Sequence, residues 1–132
     1  NPMVESKTIE IKIGLNESIT KPVKISCVST IPPKSFNVDT NECFLDLEKL
    51  QFPLTITKWR SGDQLQPLGM KGSKKISDIL IDKKISIHDK RNILVLKSNN
   101  TVVWIIGHVI NDNFKVTNKT TRCYKLKFHK NN

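Results

Sequence analysis

The chain has 132 residues, enough for one medium domain or two very small ones, with room for a packed core that needs no staples. No run of about 18 apolar residues occurs that could span a membrane, and the opening Asn1-Pro2-Met3-Val4-Glu5 is not a signal peptide. The formal net charge is +10 and it is unevenly placed: residues 1–57 carry six lysines against seven acids, a net of −1, whereas residues 58–132 carry sixteen lysines and arginines against five acids, a net of +11. Such asymmetry points to an anionic polymer or surface as partner of the second half.

The absence of an initiator methionine is read as a piece of a longer protein. Cys27, Cys43 and Cys123 are isolated and odd in number. Without a CxxC pair or a Cys/His cluster they indicate no zinc site, and they fit a reducing, cytoplasmic setting. The triplets starting at Asn16, Asn99 and Asn118 match glycosylation acceptors, but a chain rich in Asn and Lys forms such triplets by chance.

Thr8–Ile13 alternates apolar and polar residues with period two and is expected to be a strand. Gly14-Leu15-Asn16 breaks it, and Val23–Val28 alternates again. Ile31-Pro32-Pro33-Lys34 is a loop. Phe44–Leu47 is a short strand or turn, and Leu54–Trp59 a further strand. These pieces read as a small sheet built from residues 5–57, so residues 1–57 are expected to be a β-rich linker or small subdomain ahead of a C-terminal domain over 58–132. In that domain Arg60–Asp63 is a turn and Pro67–Gly72 a glycine-punctuated loop. Ser73 is placed to cap a helix over about residues 74–84, with Ile76, Ile79 and Leu80 on one face. His88-Asp89 starts a turn or short helix. Ile93–Leu96 and Thr101–Ile106 form a hairpin around Ser98-Asn99-Asn100. Their unbroken apolar character implies burial on both faces. Phe114–Val116 is a short bridge, and Cys123–Phe128 a last, half-exposed strand.

The segment Gly69-Met70-Lys71-Gly72-Ser73-Lys74-Lys75 carries the strongest chemical signal. Two glycines let a backbone approach a ligand closely. A helix starting there would add free N–H groups, and three lysines would add charge, together a grip for phosphates. The pattern is not a Walker A loop, and a capped helix with solvated lysines explains it nearly as well. Trp104 lies in the most apolar strand and reads as core. Trp59, beside Arg60, fits either core or base stacking. His88 with Asp89, and His108 with Asp112, could be drawn as acid–base pairs, but no nucleophile or metal spacing surrounds them.

The run from Trp59-Arg60-Ser61-Gly62-Asp63 through Pro67-Leu68-Gly69-Met70-Lys71-Gly72-Ser73-Lys74-Lys75 to Asp82-Lys83-Lys84-Ile85 resembles the C-terminal signature of bacterial tRNA(Ile)-lysidine synthetases. The likeness continues through Arg91, Val102–Ile105, Gly107-His108 and Asp112–Thr117, and so spans about residues 58–118. One position departs from it, because Val109 stands where a basic residue is expected after Gly107-His108.

The resemblance implies an α+β fold: a strand-rich, three-layer domain with an unusual β-sandwich and one main helix, also found in part of the bacterial phenylalanyl-tRNA synthetase β-chain. It implies a whole enzyme that activates the first anticodon cytidine of tRNA(Ile) with ATP and joins free lysine to it. ATP, and magnesium with it, belong to an N-terminal domain marked by an SGGxDS loop, which this sequence lacks. This chain is therefore expected to hold no cofactor or metal, to have no catalytic residue, and to grip the tRNA acceptor stem. The candidate contacts are Arg60, Lys71, Gly72, Ser73, Lys74, Lys75, Lys83, Lys84 and Arg91. No membrane partner is expected, and a homodimer stays open. The competing reading is a stand-alone basic module for nucleic acid or an acidic protein, without a ligase role.

Overall fold

The computed structural model describes residues 10–36 and 39–130. Ten strands, two short α-helices and two 3₁₀ turns are arranged in three layers. The middle layer is a five-stranded sheet in the order β1 (Glu10–Ile13), β4 (Leu54–Lys58), β7 (Leu94–Ser98), β8 (Thr101–Ile105), β9 (Val109–Ile110). A three-stranded sheet covers one of its faces, with β10 (Cys123–His129) between β2 (Lys24–Thr30) and β3 (Glu42–Asp46). On the other face lie α1 (Ile76–Asp82) and the ribbon of β5 (Gln64–Leu65) and β6 (Lys74–Lys75). The helix α2 (Ile87–Lys90) follows α1. All named strand pairs are antiparallel.

The apolar runs of β7 and β8 are explained by this middle position. Leu96, Val103 and Trp104 face the sandwich core with Ile13, Ile56, Leu45, Tyr124 and Leu126. Val95, Val102 and Ile105 face a second core with Leu65, Ile76, Ile79 and Leu80. Two adjacent residues, Val103 and Trp104, point the same way because the register slips between Leu96 and Lys97, leaving Val103 without a partner. Such a bulge re-aims side chains and strengthens twist. It seats the indole of Trp104, only 1% exposed, inside the sandwich. Asn99 and Asn100, at φ 49° and 69°, close the β7–β8 hairpin in the left-handed conformation that such tight turns require.

The strands expected in residues 1–57 are present from Glu10 onward, whereas Thr8 and Ile9 lie outside the described residues. They do not make a sheet of their own. β1 and β4 pair with each other, but inside the sheet that continues into β7. β2 and β3 instead flank β10, which is central in its sheet and, as expected, the last and half-exposed strand, with Leu126 buried and Lys127 exposed. The division expected between residues 57 and 58 falls within β4. The short bridge expected at Phe114–Val116 is present as an isolated pairing of Lys115 with Leu45, directly after a 3₁₀ turn over Asp112–Phe114.

Candidate nucleic-acid interface

The segment from Arg60 to Arg91 forms the outer layer over β7 and β8, and each of its turns is pinned by a specific bond. At the end of β4, Trp59 packs against the second core and its indole N–H donates to Lys90 O at 2.8 Å. The ring is thereby committed to structure, and Arg60 is brought toward Arg91 at the end of α2. The turn Arg60–Asp63 closes through Asp63 N–H to Arg60 O at 2.9 Å, with Gly62 at φ 94°. Asp63 Oδ2 accepts from Arg60 N–H at 2.8 Å, while Oδ1 pairs with the largely buried ammonium of Lys97 at 3.3 Å. Asp63 is thus neutralised from beneath, and the guanidinium of Arg60 is left exposed.

The glycine loop is held by Asp112. Met70 N–H donates to Pro67 O at 3.0 Å, and Gly69 takes φ 80°, a type II turn in which glycine avoids the clash of a side chain at positive φ. Asp112 Oδ1 accepts from Gly69 N–H at 2.9 Å and from Lys115 Nζ at 2.9 Å. Its backbone N–H donates to Gln66 O at 2.7 Å, and Gln66 Nε2 donates to Met70 O at 2.8 Å. The Gly69 N–H bond and then the Lys115 ammonium hold the Asp112 carboxyl below its ordinary range. Asp112 therefore positions the loop instead of pairing with His108. Lys71, Gly72 and Ser73 project beyond this anchor, all exposed. Gly72 has φ 80°, as required for a position closed to bulky residues, and a β-carbon there would meet nothing within 4 Å.

The helix expected from residue 74 begins later. Lys74 and Lys75 are extended and pair with Leu65 and Gln64 in the β5–β6 ribbon. Burial of Leu65 against α1 holds that ribbon to the core. The N-cap position falls on Lys75, which makes no side-chain capping bond, so Ser73 is not the cap. Ile76 N–H donates to Asp63 O at 3.0 Å, so the first helical N–H is already occupied. The helix is seven residues long. The helix start expected at the glycine loop is therefore not there, and what this segment presents at the surface is its side chains.

Lys74 forms an ion pair with Asp82, tying β6 to the last turn of α1. Lys83 and Lys84 follow at once. Lys84 sits at φ 58°, and its N–H and that of Ile85 donate to Ile81 O (2.9 Å) and Leu80 O (3.1 Å), a Schellman ending in which lysine occupies the usual glycine position. Arg60, Lys71, Lys75, Lys83, Lys84 and Arg91 are exposed, and none makes an ion pair among the described residues. The nine candidates thus lie in one layer, although only Lys74 has an acidic partner.

Sequence reasoning missed Lys130 and did not place His108. Burial, then the charges of Lys83 and Lys130, lower the His108 imidazole from its ordinary value. The three thiols are buried and pushed up in pKa chiefly by burial, so they are poor nucleophiles. Among the described residues no three His, Cys, Asp or Glu side chains converge as a metal site, and no helix is long and apolar enough to cross a membrane.

Residues 54–127 match the family model described as the TilS substrate C-terminal domain. The tRNA(Ile)-lysidine synthase of Parabacteroides distasonis is 34% identical over 117 residues, covering 87% of this chain and 26% of that protein. The enzyme of the same name from Clostridium perfringens is 44% identical over 69 residues, covering 52% of this chain and 15% of that one. The chain therefore spans about a quarter of the first relative's length. A solved structure, titled the crystal structure of the TILS C-terminal domain, superposes with a TM-score of 0.82 at 18% identity, covering 96% of this chain and 99% of that one. That likeness extends the three-layer architecture to a solved fold, and with the match over residues 54–127 the chain belongs to the family of TilS substrate C-terminal domains.

Proposed function

We propose that this chain is the tRNA-holding part of a tRNA(Ile)-lysidine synthase, an enzyme that uses ATP to ligate lysine to the first anticodon cytidine of tRNA(Ile). In this reading the part described here grips the acceptor stem and does no chemistry. ATP, magnesium and free lysine are handled by a catalytic domain elsewhere in a cytoplasmic protein. The observation that carries the reading is the outer layer itself: six exposed basic side chains without acidic partners among the described residues, in a segment whose turns are anchored by Asp63, Asp112 and Trp59. The anchored turns fix the backbone from which these charges project, so binding to duplex phosphates has side chains to order but not loops. Lys71, Gly72, Ser73 and Lys75 form the projecting part of the grip. Arg60, Arg91, Lys83 and Lys84 supply the rest of its charge, and Lys74 is shared with Asp82.

The test is a binding titration of the purified chain with tRNA(Ile), a tRNA of other sequence and duplex DNA, at several salt concentrations. Salt-dependent binding that favours folded tRNA over duplex DNA is expected. Equal affinity for duplex DNA would favour the stand-alone basic module instead. AMP release on adding ATP, lysine and tRNA(Ile) to this chain would refute its non-catalytic role.

A further inference from the structure

A groove of about 350 Å³ lies between β3 and β9, each the edge strand of its own sheet. Trp104 and Cys43, both buried, line it from the sandwich core. Two large apolar side chains line it half exposed, Phe36 at 51% and Leu68 at 50%. Leu68 belongs to the loop that carries Lys71, so the groove adjoins the basic layer through the turn that Asp112 anchors. Phe36 meets the ring of Phe44 edge-on, with centroids 5.3 Å apart and planes at 72°, and Lys125 Nζ lies 5.8 Å over Phe44.

The charged groups of the groove differ from those of the layer beside it. Asp39 makes no ion pair among the described residues, and its Oδ1 accepts from Asn41 N–H at 2.9 Å. Glu42 pairs through Oε2 with Lys125 at 3.7 Å. Lys115 also lines the groove, but its ammonium is held by Asp112 at 2.9 Å. Ionised carboxylates accept hydrogen bonds and donate none. They repel phosphates, which are drawn instead to the unpaired cations of the outer layer. They suit a ligand that combines apolar faces with N–H donors. An unpaired nucleobase with an exocyclic amino group is such a ligand: its face stacks on an aromatic ring and its amino group donates to a carboxylate. A second copy meeting the groove about a two-fold axis would set these acids against themselves.

We propose that the groove between β3 and β9 takes an unpaired, amino-bearing base from the end of the tRNA acceptor stem, stacked on Phe36 with its amino group donating to Asp39. This occupant rests on the tRNA-holding reading. The acceptor stem ends in the unpaired nucleotides C, C and A, all three with exocyclic amino groups. Leu68 places the groove next to the surface on which the duplex is held. Phosphates and bases are thereby sorted: the lysines and arginines of the outer layer take the backbone, and the acidic, aromatic groove takes the free end.

The experiment compares binding of the whole chain to intact tRNA(Ile), to the same tRNA lacking its unpaired 3′ nucleotides, and to one with uridines in their place. The intact form is expected to bind about tenfold tighter than either of the others, the scale of one base stacked on an aromatic ring. Phe36→Ala should remove that advantage and leave affinity for the shortened tRNA and the melting temperature unchanged. Asp39→Asn offers an amide donor to a uracil carbonyl, so it should narrow the ratio between intact and uridine-ended tRNA. Methyl resonances of Val109 and Ile110, which line the groove, should respond to the intact tRNA and not to the shortened one. Equal affinity for intact and shortened tRNA overturns the inference and leaves the outer grip standing. An equal loss for both tRNAs on Phe36→Ala overturns it too, because the ring then serves the fold. If neither tRNA binds, the tRNA-holding reading fails, and the trinucleotides CCA and UUU decide the groove on the same methyl resonances. Shifts with CCA alone uphold a base site, and equal or absent shifts overturn it. Self-association of the free chain that Phe36→Ala abolishes gives the groove to a second copy and overturns the inference as well.

Discussion

Replacing Lys71 and Lys75 together with alanine separates a built grip from a diffuse field. Six exposed basic side chains of the outer layer have no acidic partner among the described residues. If each neutralises one duplex phosphate, log affinity should fall against log salt with a slope of about five, since each contact contributes roughly 0.9 through counterion release. Removing two contacts should flatten the slope by about two. Lys74 is the informative neighbour. Its ammonium is already paired with Asp82, so Lys74→Ala should flatten the slope less than either Lys71→Ala or Lys75→Ala. Folding should hardly respond to the double change, because exposed lysines usually contribute within about 0.5 kcal/mol of zero. Lys12 and Lys24, exposed on β1 and β2 in the neutral half, supply the control pair. The assay is filter binding to tRNA(Ile) over a salt series, with thermal melts of each variant. An unchanged slope for the Lys71/Lys75 pair, or an equal flattening by Lys12/Lys24, would refute a grip centred on this loop.

Gly72→Val should destabilise the chain by about 1–2 kcal/mol through positive φ alone, since open space surrounds the position; a denaturation midpoint equal to that of the unaltered chain would contradict this. At the end of α1, Lys84→Gly should raise stability by about 0.5–1 kcal/mol by relieving φ 58°, at the cost of one cation on the grip. A higher melting temperature with a slightly flatter salt slope is the expected pair of readings, and a lower melting temperature speaks against the strain argument. Asp112→Ala should free Gly69 N–H and Lys115, increase hydrogen exchange over residues 66–70 and speed tRNA release without a large change in slope. The depressed pKa of Asp112 means that this anchoring is present above the ordinary carboxylate range and is lost as pH falls below it, so acid should mimic the variant. Exchange rates in the loop that do not respond to acid or to Asp112→Ala would assign the anchor elsewhere.

Much of the architecture is written in local pattern. Alternation marks β2 and the end of β1, the paired asparagines mark the β7–β8 turn, and the unbroken apolar runs announce a sheet covered on both faces. The charge split and the ordered run from Trp59 to Lys84 already locate the basic face. Tertiary pairing decided the rest. Lys74-Lys75 reads as a helix start because Ile76, Ile79 and Leu80 have helical spacing, yet Gln64-Leu65, ten residues earlier, draw both lysines into a ribbon. No local period records a partner that distant in the chain. Residues 10–57 have the alternation of a small sheet, but β10, near the other end of the chain, takes β2 and β3 as its neighbours. The bulge that turns Val103 and Trp104 to one side breaks the period that a strand reading assumes. That His108 and Lys130 line one cleft leaves no trace in spacing, because the turn after β8 and the end of β10 come together only after both sheets have packed.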